Sequence, residues 1–246
     1  MDSQTEISIP RTIWRWWVYA ARCEGWPRAT RRLAGVLWEY LRDSTPERLK
    51  GRFGDADYDW EFRVNTTSGA VGWRDRLLGM FHSAYQPTDP AAFHEMLHAL
   101  GDYANTDFQG FTFVDLGSGK GRTLLMASDY PFARIIGVEL LPSLHHVAQQ
   151  NVANYNPVSQ RCFAIESVCA DATQFRFPDG PLVLYLFNPL PDTGLRQVLS
   201  NLEASLKARP RPAYVLYHNP LLDHVMAESS LRKVSSTAQF SLWTAG

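Results

Sequence analysis

Apolar positions along this chain follow two periodicities. From residue 111 onward, short continuous apolar runs alternate with stretches where apolar residues recur every three or four positions. The runs are Phe111–Leu116, Arg134–Leu140, Phe163–Cys169, Pro181–Phe187 and Ala213–His218. Each is short and bounded by turn residues, as expected for strands buried on both faces of a parallel sheet. Between them, Leu144, Val147, Ala148, Val152 and Tyr155 share one helix face, and Leu195, Val198, Leu199, Leu202 and Leu206 share another. Strands joined by helical crossovers predict an α/β fold with a doubly wound sheet. Leu231–Ser236 and Gln239–Thr244 are placed to close it as an antiparallel pair.

Upstream of residue 111 the pattern changes. Residues 51–110 are irregular, with Asp55, Asp57, Asp59, Gly69 and Gly72 interrupting any period, until a helix runs from about Pro90 to Leu100. Pro suits its first turn, and Gly101 is the expected stop. Residues 1–50 read as one or two helices broken near Gly25-Trp26-Pro27. Three regions follow: an aromatic and basic helical extension (1–50), a cap and covering segment (51–110), and the α/β core (111–246).

Composition narrows the class. The chain has 246 residues, 45% of them hydrophobic and 20% charged, the balance of a globular protein rather than a disordered one. A formal net charge of −1 excludes a generally basic nucleic-acid coat. Residues 1–50 carry 9 basic and 6 acidic side chains and five of the 8 Trp, however, so a local patch remains. It reads as a helical cap with a solvated Arg face, or as an arm for self-association or partner binding. The 3 Cys form no CxxC pair and read as free buried thiols of a reducing compartment. No basic leader or membrane-length apolar run is evident, so a cytoplasmic location is expected.

The chemistry concentrates in Phe113-Val114-Asp115-Leu116-Gly117-Ser118-Gly119-Lys120-Gly121-Arg122. A strand enters, three glycines turn the chain, and a helix leaves. A phosphate-binding P-loop would need Ser or Thr after Lys120, and Gly121 stands there. The dinucleotide fingerprint needs G-x-G-x-x-G, and the spacing here is G-x-G-x-G. Asp115, two residues before the first glycine, would repel a pyrophosphate. It would attract a cation, and S-adenosylmethionine carries an ammonium and a sulfonium and no phosphate. Glu139 ends the second strand, 24 residues later, where a carboxylate can accept both ribose hydroxyls. After the third strand, Asp171-Ala172 offers an acceptor for an adenine amino group.

With this ordered set in place, residues 85–220 resemble the class I S-adenosylmethionine-dependent methyltransferases. The wording around the glycines is especially similar to the non-SET histone lysine methyltransferases and their uncharacterised bacterial relatives. The resemblance implies a Rossmann-like seven-stranded sheet with its last strand antiparallel, under an N-terminal helical cap. It implies methyl transfer that leaves S-adenosylhomocysteine. Cofactor contacts are implied for Asp115, Gly117, Ser118, Gly119, Gly121, Glu139, Asp171 and Ala172. They are implied also for Tyr85 and Thr88, since Tyr85-Gln86-Pro87-Thr88 resembles the segment that covers the cofactor in those enzymes. Asn188-Pro189 follows the fourth strand, where amino-group methyltransferases carry Asn-Pro-Pro-aromatic. Asn188 is therefore a candidate to orient an amine acceptor, with a cofactor contact or a strand-ending turn as competing roles. His218 ends the fifth strand on the same edge and is a candidate for handling a proton. The acceptor itself is open: protein lysine, small molecule or RNA. A cofactor-binding subunit without catalysis is the alternative.

A second pattern competes. His94-Glu95-Met96-Leu97-His98 matches H-E-x-x-H, the helical core of zinc peptidases. The next ligand position of the extended pattern is Ala104, and no Glu lies between Glu95 and Glu139. An amphipathic helix burying Phe93, Met96, Leu97 and Leu100 accounts for the same residues, and no metal is expected.

Overall fold

The computed structural model describes residues 13–14, 17–18, 21–22, 25–43, 56–67 and 86–245. Tyr85 lies outside them, as does Cys23, one of the 3 Cys. The chain divides into two compact units, residues 1–56 with 67–86, and residues 57–66 with 87–246.

In the first unit, α1 spans Trp26–Asp43. Trp17 packs edge-on against Trp26, with ring centroids 4.9 Å apart, and its indole N–H donates to Thr30. Trp14, Trp26 and Trp38 are largely exposed.

The second unit holds the sheet. In chain order its elements are α2 (Ala56–Phe62), α3 (Pro90–Ala104), β1 (Thr112–Leu116), α4 (Arg122–Ala127), β2 (Arg134–Glu139), α5 (Pro142–Asn154) and β3 (Ile165–Cys169). There follow a 3-10 turn (Ala172–Gln174), β4 (Leu182–Leu186), α6 (Asp192–Ala208), β5 (Ala213–His218), α7 (Asp223–Ala227), β6 (Arg232–Ser236) and β7 (Phe240–Thr244). The strand order is β3-β2-β1-β4-β5-β7-β6, and β7 alone of these runs against the rest. This is the expected Rossmann-like seven-stranded sheet. Its order reverses at β1, so the carboxyl ends of β1 and β4 frame the crevice where such sheets take ligands.

Burial follows the sequence pattern. β1, β4 and β7 are buried throughout. The edge strands β3 and β6 are not. One face of the sheet packs α6 through Leu195, Val198, Leu199 and Leu202. The other packs α3 through Phe93, Met96, Leu97 and Leu100. α3 starts as expected, with Pro90 in its first turn and the Asp89 carboxylate accepting from Ala92 N at 2.9 Å. It does not stop at Gly101. It continues to Ala104, and Asn105 caps it in the left-handed region at φ 46°, a conformation that Asn tolerates well. Two other expectations need correction. Phe163 lies outside β3 and is exposed, and Cys169 is an exposed thiol while Cys162 is buried.

A polar network fastens residues 57–66 to the loop and helix after β1. Arg122 is fully buried at the start of α4. Its Nε–H donates to Thr66 Oγ1 at 2.7 Å, its Nη2 lies 3.5 Å from Asp59 Oδ1, and its guanidinium sits over the Tyr58 ring. Thr66 in turn donates to Asp59 through both its amide and its hydroxyl. Asn151 on α5 donates to the carbonyls of Asn65 and Lys120 and accepts from Asn65 N. Lys120 Nζ donates to Asn65 Oδ1 at 3.0 Å, and burial lowers its pKa to about 8. Breaking a buried pair by removing one partner leaves the other charge stranded. Arg122→Met is therefore expected to cost about 3 kcal/mol of stability, read from the urea midpoint. The double variant Arg122→Met with Asp59→Leu is expected to lose less.

Candidate functional site

The glycine turn is built by crowding as well as by dihedral angle. Gly117, Gly119 and Gly121 have φ of 83°, 54° and 82°, a region open chiefly to glycine. At Gly117 an added Cβ would lie 2.6 Å from Pro189 Cβ, which locks the β1 turn against the loop after β4. Ser118 N and Gly117 N both donate to the Val138 carbonyl, which draws the turn over the end of β2. Ser118 Oγ is buried with no hydrogen-bond partner among the described residues. It sits 2.6 Å from where a Gly137 Cβ would stand. The hydroxyl thus points back over β2, and Gly137, unremarkable in the sequence, makes room for it.

Two carboxylates flank this turn. Glu139 is buried at the end of β2, where one oxygen accepts from Gly119 N at 2.8 Å and the other from Leu141 N at 2.8 Å. Asp115 is buried near the end of β1. Burial pushes its carboxyl up, the Thr123 hydroxyl that donates to it pulls it down, and the Glu139 charge pushes it up again, to about 7. A cation brought beside that carboxyl would favour its charged form. These residues fit a ligand with a diol on the Glu139 side and positive charge on the Asp115 side.

The remaining sequence-derived positions are placed as follows. Asp171 caps the 3-10 turn, its Oδ1 accepting from Thr173 N and Thr173 Oγ1. Its other oxygen has a 3.4 Å contact from Gln174 Nε2. Ala172 is buried beside it. Asn188 adopts φ 46° at the end of β4. Its Oδ1 accepts from the Tyr217 hydroxyl at 2.8 Å and faces Leu221 N at 3.4 Å, while its Nδ2 donates to the Asn219 carbonyl at 2.7 Å. The amide of Asn188 thus rivets the loop after β5 to the end of β4.

Thr88 leads to a feature the sequence did not announce. Its hydroxyl lies 2.9 Å from the Tyr185 hydroxyl, which in turn lies 2.9 Å from His218 Nδ1. Tyr185 is buried in β4 directly beside Asp115 in register. Its phenol pKa is raised well above the ordinary value by burial, against the pull of the Thr88 bond. Asp115, Tyr185 and His218 therefore form a polar row across three strands of one sheet face. In the sequence Tyr185 looks like one more core residue of an apolar strand. The His94 ring is also engaged, its Nδ1 lying 2.8 Å from the Tyr130 hydroxyl. Among the described residues, no three His, Cys, Asp or Glu side chains gather as metal ligands.

Residues 113–209 match a family model described as a methyltransferase domain. No curated protein matches the chain. Among solved structures, the chain is similar to magnesium protoporphyrin IX methyltransferase (ChlM) from Synechocystis with bound S-adenosylmethionine. The two are 12% identical, with 79% of this chain and 92% of that one covered and a TM-score of 0.46. It is similar also to the N-methyltransferase NodS from Bradyrhizobium japonicum, at 12% identity, 63% and 93% coverage and a TM-score of 0.43. A third is an RNA methyltransferase from Salinibacter ruber in complex with S-adenosylhomocysteine, at 22% identity, 65% and 94% coverage and a TM-score of 0.37.

Proposed function

From the match of residues 113–209 to a methyltransferase domain, we propose that the protein is a class I methyltransferase that binds S-adenosylmethionine and transfers its methyl group in line to an acceptor nucleophile. One observation carries this reading: the left-handed glycine turn lies between two buried carboxylates, Asp115 near the end of β1 and Glu139 at the end of β2, the second bonded to the turn through Gly119 N. When bound, S-adenosylmethionine supplies a methyl group already activated on a sulfonium. The protein then needs mainly to align the acceptor, a contribution that reaches about 7–11 kcal/mol for well-oriented reactants. Gly117, Gly119 and Gly121 let the backbone approach the cofactor closely, Glu139 holds the ribose hydroxyls, and Asp115 neutralises the methionyl end. Asp171 and Ala172 border the adenine, with Thr88 on the covering side. S-adenosylhomocysteine is the product.

An amine nitrogen is the acceptor favoured by the Asn188-Pro189 wording. A hydroxyl acceptor is the second reading, favoured by the imidazole of His218, which the Tyr185 hydroxyl holds at the carboxyl end of β5. The proposal leaves the acceptor as protein lysine, small molecule or RNA. The exposed Trp14, Trp26 and Trp38, interleaved with exposed arginines, support a role for the N-terminal helices in self-association or partner binding. Among the described residues no helix is long and apolar enough to cross a membrane, and a cytoplasmic protein is part of the proposal.

The experiment is titration calorimetry with S-adenosylmethionine, followed by transfer of a labelled methyl group to an acceptor panel. Glu139→Ala is expected to weaken cofactor affinity about 10-fold or more, because a charge-assisted bond is removed. Equal affinity in the variant contradicts the ribose role. Cofactor binding without transfer to any acceptor leaves a non-catalytic subunit.

A further inference from the structure

Resting on the cofactor reading above, we infer that His218 is the group that takes the proton from a hydroxyl acceptor, through Nε2, while Tyr185 and Thr88 hold its ring. His218 stands at the carboxyl end of β5. Its ring stacks on Phe187 at 4.2 Å between centroids and 29° between planes. Phe187 begins the Phe187-Asn188-Pro189 turn, whose proline closes on Gly117, so the imidazole stacks on a residue two positions before the proline that packs on the glycine turn. Nδ1 is occupied by the Tyr185 hydroxyl. Nε2 makes no hydrogen bond to any described residue.

The hydrogen-bond inventory permits the required tautomer. Nδ1–H donates to Tyr185 Oη, Tyr185 donates to Thr88 Oγ1, and Nε2 is left as a bare acceptor. The groups that act on the imidazole charge are few. Burial disfavours the cation, and Asp89, at the start of α3, partly restores it. Tyr185 on β4 contributes no charge, since burial keeps its phenol protonated. His218 is therefore a neutral base at neutral pH.

A weak neutral base discriminates between acceptors. Methylation of a neutral amine yields an ammonium of pKa about 10, which an imidazole cannot deprotonate efficiently. Methylation of a hydroxyl develops positive charge on oxygen, which makes its proton strongly acidic. In the balanced step, the hydroxyl oxygen's lone pair forms the O–CH3 bond and the S–CH3 bonding pair stays on sulfur. The O–H proton passes to Nε2.

The test uses the full chain with histidine labelled by nitrogen-15. At pH 7.5 the resonances lost in His218→Gln are expected to report Nδ1–H with a bare Nε2. Tyr185→Phe is expected to shift that ring toward the Nε2–H form. With the methyl-labelled cofactor, phenol, 4-methylcatechol and benzyl alcohol form the hydroxyl panel, and benzylamine is the amine. Turnover of a hydroxyl acceptor is expected to fall about 100-fold or more in His218→Gln, with cofactor affinity unchanged within about 2-fold. The remaining activity is expected to lose the acid limb of its pH profile. An Nε2–H or charged His218 at pH 7.5 overturns the assignment, as does turnover of benzylamine alone or full activity in His218→Gln. Failure to bind the cofactor is a separate result, and it removes the underlying reading as well.

Discussion

Asp115→Asn is expected to stabilise the unliganded protein at pH 8 while destroying its affinity for S-adenosylmethionine. In an unfolded chain an aspartate titrates near 3.9; in this fold burial and Glu139 bring Asp115 to about 7. Between those values the folded protein holds a proton that the unfolded chain has released. Stability therefore falls as pH rises from about 4 through 7, and above pH 8 the buried charge costs at most roughly 4 kcal/mol. Asn keeps the shape and a carbonyl for the Thr123 hydroxyl, and it removes the charge. Thermal unfolding at pH 8 is expected to rise by about 2 °C or more, with a smaller gain at pH 5. Over the same change, cofactor affinity is expected to fall about 100-fold, since a buried charge-assisted contact to a cation is lost. A variant less stable at pH 8 than the wild type contradicts the assignment of Asp115 as a residue held in an unfavourable state for its ligand.

Gly117→Ala carries the second large effect. Its Cβ would stand 2.6 Å from Pro189 Cβ, at a φ of 83° that side chains other than glycine rarely adopt. A left-handed conformation costs roughly 1–2 kcal/mol, and overpacking adds about 1–3 kcal/mol. A total near 3 kcal/mol is expected in the urea midpoint. The turn and the β4 loop are forced apart, so cofactor binding is expected to be lost even where the protein remains folded. Gly180→Ala is the control: an added Cβ meets nothing within 4 Å there and φ is ordinary, so stability is expected to stay within about 0.5 kcal/mol. Equal effects from the two substitutions contradict the role given to the Gly117–Pro189 contact.

The parts of this architecture that were legible in the chain are those that depend on local pattern. Continuous apolar runs marked β1, β2, β4 and β5, because strands buried on both faces leave no alternation to misread. The glycine turn announced itself through spacing, and Asp115 through its charge. What escaped depends on partners far away in sequence. Tyr185 reads as core until Thr88 and His218 are seen to meet its hydroxyl from 97 and 33 residues away. Gly137 looks like any strand glycine until Ser118 is found against it. The Asp59–Thr66–Arg122 network was invisible because irregular residues 57–66 carry no periodic signal. Gly101 misled for the opposite reason: it has the right type for a helix stop, yet Asn105 ends the helix. Asn188 was recognised by position, but only the fold reveals its amide bound to Tyr217 and Asn219.

Calorimetric titration of the wild-type protein with S-adenosylmethionine at pH 6.5, in two buffers of different ionisation enthalpy, goes most directly to the Asp115 cradle. Binding of one cofactor per chain with net proton release is expected, because a cation beside Asp115 lowers a carboxyl that titrates near 7. Absence of binding, or binding of NAD in its place, would contradict the account.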